Sequence, residues 1–136
     1  MGTTKLTWHD GQRYTGTDSW GNAVVPIDSD RSHGSKPSDL LPISVAACAA
    51  YTMVEILRKQ RQMITALEAS ITSKQQDEAP WAFETIDFVF TIGGDVAIDK
   101  ARKALELSHE KYCSVAASLR ASVAMTFTIE LADAAT

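Results

Sequence analysis

Two cysteines carry the chemistry available to this chain. Cys48 lies inside a long apolar run, residues 40–57, whose only charged side chain is Glu55, and Cys113 lies far downstream in HEKYCSVAASL. In a reducing compartment two thiols of this kind are either inert core residues or a redox pair that cycles between dithiol and disulfide. Cys113 stands beside Lys111 and Tyr112 at a predicted helix start, where exposed amide N–H groups lower a thiol pKa. Cys48 falls about nine residues into its own predicted helix, too deep to gain from a dipole that fades within the first turn. A thiolate there, in apolar surroundings, calls for a cation brought from elsewhere.

The elements that must position these thiols are legible in outline. Residues 4–8 and 12–17 read as strands around the turn signal HDG, and residues 22–28 as a third strand. Residues 29–39, SDRSHGSKPSD, have the composition of a loop that leads to the cysteine helix. Ser38 or Asp39 is placed to cap that helix; with Asp39 as N-cap, Pro42 becomes the third helical residue, where a missing N–H is no loss. Arg58, Lys59 and Arg61 mark the other end, where cations complement the helix dipole. Residues 63–73 and 82–92 read as strands joined by a polar loop, and in the second Glu84, Ile86, Phe88, Phe90 and Ile92 share one face. A helix with Asp95 as its cap follows over 93–108, then a shorter helix over 112–120, then a half-buried strand over 122–131.

This order predicts one α+β domain spanning residues 1–136. The cysteine helix is apolar on nearly all sides and so must be covered on all sides. One sheet from a chain this short covers only one of them. The expected solution is a homodimer whose antiparallel β-sheets enclose the two paired central helices.

Composition narrows the function further. The 136 residues are 45% hydrophobic and 22% charged, with a formal net charge of -4 and a pI near 5.3. There is no basic stripe for phosphate contacts, which sets nucleic acid aside as a partner. The opening MGTTKLTWHDGQRYTG is polar and mixed rather than signal-like, and points to the cytoplasm. The apolar run is long enough for a membrane span, but Pro42, Ser44, Thr52 and Glu55 interrupt it, so a buried helix and no membrane partner are expected. His9, His33 and His109 form no C-x-x-C or H-x-x-x-H pairing with other ligands, and no metal is expected. Trp8, Tyr14, Trp20, Tyr51 and Trp81 read as core, dimer interface or the lining of an apolar pocket.

Taken together, KPSDLLPISVAACAAYTMVEILRKQ and the downstream ELSHEKYCSVAASL resemble the OsmC/Ohr family, the osmotically inducible and organic hydroperoxide resistance proteins, and most closely its OsmC-like branch. The resemblance covers most of the chain and its order of elements. It implies an intertwined homodimer of two long helices wrapped by sheets, and a thiol-dependent peroxidase that needs no metal or organic cofactor. By that resemblance Cys48 is the peroxidatic cysteine, attacking an organic hydroperoxide and becoming a sulfenic acid, and Cys113 resolves it as a disulfide that an external dithiol reduces. It also implies a helper arginine from the N-terminal region, oriented by an acid near the start of the cysteine helix. Arg13 and Arg31 are the arginines that precede the helix, Arg31 being favoured for its nearness to the helix start. Where hydroperoxide reductases of the family read Pro-Glu-Gln-Leu, this chain reads Pro37-Ser38-Asp39-Leu40, which makes Asp39 the candidate acid, or else a helix cap. Glu55, one heptad from Cys48, is the other acid in reach, or an i,i+4 partner of Lys59. The rival function keeps the fold without catalysis and binds a small apolar ligand or a reactive sulfur species in the dimer cleft.

Overall fold

A computed structural model of the chain describes residues 2–132. The elements are strands β1 (Lys5–Asp10), β2 (Arg13–Thr17) and β3 (Ala23–Asp28), helix α1 (Pro37–Lys59), strands β4 (Met63–Gln75) and β5 (Phe83–Asp95), helix α2 (Ile98–Leu107), a π-helical turn (Ser108–Tyr112), helix α3 (Ser114–Leu119) and strand β6 (Ala124–Leu131). The α+β class and the expected order hold, with the π-helical turn added. The chain forms two compact units, one ending at Leu41 and one starting at Pro42.

The N-terminal unit is built on an antiparallel sheet in the order β1–β2–β3. β1 runs on through His9 and Asp10, so the turn falls at Gly11-Gln12, one step later than the HDG signal places it. Gly11 has a φ of 48°, which suits glycine at that corner. The loop after β3 is organised by one side chain. Asp28 is only 2% exposed; its carboxylate accepts from the backbone N–H of Asp30 at 2.9 Å and of His33 at 3.2 Å. The Arg31 N–H donates to the Asp28 carbonyl at 2.9 Å, holding Arg31 at a φ of 62°. An Asx-type residue gathering its own downstream backbone is what Asp does in turns.

α1 starts three residues earlier than the Asp39 cap predicts. Pro37 takes the first helical position, which its fixed φ and missing N–H favour. Asp39 is then a first-turn acid, 3.8 Å from Lys36 Nζ, and Pro42 sits sixth, inside the helix. By length and composition α1 could cross a membrane, with a mean hydropathy of 1.8 over its apolar window. Pro42, Val45, Ala46, Ala49, Met53 and Leu57 form a buried stripe at helical spacing along it.

The C-terminal unit is built on the sheet β4–β5–β6. β4 and β5 are antiparallel, from Met63 opposite Asp95 to Gln75 opposite Phe83. β6 lies parallel to β5, from Thr85 opposite Ala124 to Ile92 opposite Leu131; a parallel neighbour requires a crossover, supplied by α2, the π turn and α3. The expected face of β5 is the core face: Ile86, Phe88, Phe90 and Ile92 are buried with the α1 stripe, Leu105 of α2, Ala116 of α3 and Ile129 of β6. Each large apolar side chain among them contributes ~1.5–3 kcal/mol by leaving water. The tryptophans and Tyr51 are not part of this core: Trp8, Trp20, Tyr51 and Trp81 are all exposed.

Asp95 does not cap α2, because β5 continues through it. The helix starts at Ile98 after Ala97, which has no capping side chain of its own. The Ala97 N–H instead donates to Gln62 Oε1 at 2.8 Å, so the residue that precedes β4 satisfies an amide at the start of α2.

Candidate active site

Cys48 and Cys113 meet in the C-terminal unit as free thiols. Cys48 is half-buried on α1, next to the buried stripe. Cys113, 2% exposed, is the N-cap of α3 and has extended backbone, with φ -79° and ψ 105°. Its Sγ accepts from the Ala116 N–H at 3.3 Å, as a capping side chain does. The Cys113 S–H has two acceptors within reach, the Val45 carbonyl at 4.0 Å and Cys48 Sγ.

The two thiols are driven apart in acidity. Burial by itself pushes Cys48 up, but the donors near its sulfur, the Cys113 S–H, the Val115 N–H, and the hydroxyl and N–H of Ser114, bring the pKa below the ordinary thiol value. Burial pushes Cys113 up, and donating its proton to Cys48 pushes it further; the Ala116 and Val115 amides offset only part. This reverses the order of acidity that the sequence suggests for the two thiols. The helix start does favour a thiolate, but the beneficiary is Cys48, carried by α1 to the start of α3, while Cys113, which caps that helix, becomes less acidic. The groups that lower the Cys48 pKa are neutral donors.

A thiol made more acidic beside one made less acidic is a nucleophile with a second thiol in attendance. Two open clefts lie along α1. One, of about 310 Å³, is apolar and lined by Ile43, Ala46, Ala47, Ala50, Leu67 and Phe90 among others. The other, of about 500 Å³, is lined by Thr52, Glu55, Ile56, Lys59, Leu107 and Tyr112. Glu55 and Lys59 both face this cleft, and no ion pair joins them among the described residues. His109, four residues before Cys113, stacks its ring on Phe127 at 4.0 Å, and Phe127 stacks on Phe88 at 4.7 Å. Burial and Arg120 hold its pKa below the ordinary value, against Glu110 and Glu106.

The family profile described as OsmC-like protein matches residues 29–128. The chain belongs to the OsmC-like family. Protein YhfA of Escherichia coli strain K12 is 30% identical over 131 residues, covering 96% of this chain and 98% of YhfA. Among solved structures, a hypothetical protein from Aquifex aeolicus VF5 shares the fold with a TM-score of 0.86 at 24% identity, over 97% of this chain and 96% of that one. An organic hydroperoxide resistance protein OsmC from Legionella pneumophila has a TM-score of 0.66 at 14% identity, over 96% of each chain. At such identities the likeness is one of fold.

Of the side chains that the sequence singles out, this OsmC-like structure brings Cys48 and Cys113 together. Arg13, Arg31 and Asp39 belong to the N-terminal unit. There Arg13 pairs with Asp10 at 3.7 Å, Arg31 occupies the Asp28 loop, and Asp39 pairs with Lys36. Sequence reasoning missed Ser114 and the Val115 amide. The signal was present in CSV, since the residues after an N-cap carry the free N–H groups of a helix.

Proposed function

We propose that this OsmC-like protein is a thiol-dependent peroxidase that reduces organic hydroperoxides through Cys48 and Cys113. The observation that carries the reading is the pair itself, Cys48 made more acidic and the adjoining Cys113 less acidic. The Cys48 thiolate attacks the terminal oxygen of the hydroperoxide, the O–O bond breaks, and the alkoxide leaves as the alcohol on taking up a proton. Cys48 is then a sulfenic acid. The Cys113 sulfur displaces its oxygen as water, forming the disulfide, and an external dithiol of the reducing cytoplasm returns both thiols by exchange. The apolar neighbours of Cys48 favour a hydrocarbon substituent over hydrogen peroxide. Fold likeness to a protein described as conferring organic hydroperoxide resistance supports the same substrate class.

The reading includes a homodimer, supported by the uncovered side of α1, where Ile43 is 52% and Tyr51 67% exposed. It also keeps the family's helper arginine, Arg31 or else Arg13, with Asp39 as its carboxylate.

The test is intact mass under nonreducing, denaturing conditions, before and after one equivalent of an alkyl hydroperoxide is added to reduced protein. Wild type should form one intrachain disulfide, Cys113→Ser should accumulate a trappable sulfenic acid, and Cys48→Ser should be inert. Oxidation no faster than that of an ordinary exposed thiol would sink the peroxidase and leave the noncatalytic binder of an apolar ligand. Slower first oxidation in Arg31→Gln, Arg13→Gln or Asp39→Asn would identify the helper residues.

A further inference from the structure

The segment that delivers Cys113 is a single turn of π-helix, Ser108–Tyr112, closed by the Cys113 N–H donating to the Ser108 carbonyl at 2.8 Å. A wider i to i+5 turn holds one more residue than α-helical register allows, and such turns recur at functional sites. Ser108 also has a second attachment. It is 0% exposed, and its Oγ donates at 2.6 Å to the carbonyl of Ala49, 59 residues away in sequence. Ala49 directly follows Cys48 in α1. A helical carbonyl has a second lone pair, so Ala49 accepts this hydroxyl without giving up its bond within the helix. One residue thus ties the backbone of Cys113 to the backbone of Cys48, through its carbonyl on one side and its hydroxyl on the other.

We infer that Ser108 is a positioning residue for disulfide formation, its bond to Ala49 holding Cys113 where its sulfur can reach Cys48. The inference rests on the peroxidase reading for the step it serves. In that step the Cys113 sulfur forms an S–S bond to Cys48 as the S–O bond of the sulfenic acid breaks, and the hydroxide leaves with the Cys113 proton as water. No further oxidant is needed. A disulfide demands a narrow range of Cα separation and of dihedral angle, and small misplacements of reacting groups cost up to about a hundredfold in effective concentration. The attack of Cys48 on a hydroperoxide makes no such demand on the Cys113 backbone.

The test measures the Cys48–Cys113 disulfide without any hydroperoxide. Reduced wild type, Ser108→Ala and Ile129→Val are equilibrated with mixtures of reduced and oxidised glutathione, quenched with acid, alkylated and weighed; Ile129→Val is a core lesion on β6. The fraction cross-linked gives the effective concentration of one thiol for the other. Ser108→Ala should lower it by about ten- to a hundredfold, with Ile129→Val near wild type. A Ser108→Ala value within about twofold of wild type, or an equal loss in Ile129→Val, would overturn the positioning role. If wild type equilibrates as expected but ignores hydroperoxide, the peroxidase reading fails and the clamp stands. If hydroperoxide oxidises Cys48 while Ser108→Ala keeps its effective concentration, the clamp fails alone.

Discussion

Cys48 and Cys113 share one apolar site and yet titrate in opposite directions, because the donors around them are unequal. A half-buried thiol should resist ionisation, but four donors converge on the Cys48 sulfur: the Cys113 thiol, the Val115 amide and both groups of Ser114. Cys113 has burial and a neighbouring anion against it. The sign of the pH dependence follows. With a lowered pKa, the Cys48 thiolate persists below the range where ordinary thiols protonate, and is lost only as pH falls through that lowered value. Cys113 ionises last, as pH rises. Alkylation followed by peptide mass should therefore label Cys48 first at neutral pH, with an inflection below that of a small-molecule thiol. Ser114→Ala removes one donor and should move the inflection upward, each unit being a factor of ten in thiolate below it. If Ser114→Ala leaves the profile in place while Arg31→Gln or Arg13→Gln moves it up, a guanidinium and not α3 activates Cys48.

At the level of elements, the C-terminal unit depends on how β5 turns into α2. Gly94 has a φ of 117°, and a Cβ on it would lie 2.0 Å from the Met63 carbonyl oxygen of β4. Neither the conformation nor the approach tolerates a side chain, and Gly94→Ala should cost at least ~1–3 kcal/mol, measured by urea unfolding. A loss below about 0.5 kcal/mol would mean that the β4–β5 end relaxes freely. This same feature explains where sequence reading stopped. The alternation of Ile86, Phe88, Phe90 and Ile92 reveals a strand and its core face directly, because a buried face of a sheet has a period of two. The end of β5 is set by tertiary approach, so a motif such as Gly-Gly-Asp reads as a helix cap when it is the last turn of a strand pair. Pro37 was readable as a first helical residue, but Asp39 offered the stronger local signal and won. The π turn was not readable: Ser108 stands five residues before Cys113, a spacing that neither helical nor strand periodicity selects. The two cysteines could be named from the sequence, whereas the donors that set their acidity could not, since they come from the start of a helix that only the fold brings to α1.

For the whole molecule, the deciding quantity is how much of α1 a single chain covers. Its buried stripe faces the core, while Ile43 and Tyr51 stay exposed, and a groove of about 310 Å³ with apolar walls runs beside Ile43, Ala47 and Ala50. A contiguous apolar strip marks an interaction site, and a second copy of the chain presents the matching strip about a twofold axis. Sedimentation velocity at micromolar concentration should give a dimer. Ile43→Arg and Ala47→Arg put a charge where the partner helix would lie, and since both positions are exposed in the single chain, they should leave the circular dichroism spectrum unchanged while shifting the protein toward monomer. Burying an unpaired cation is costly enough to weaken association by at least about tenfold. A wild type that sediments as a monomer would reject the dimer and leave the groove open to solvent, free for a small apolar ligand. A dimer that survives both arginines would place its interface elsewhere, and the uncovered side of α1 would then face a different partner.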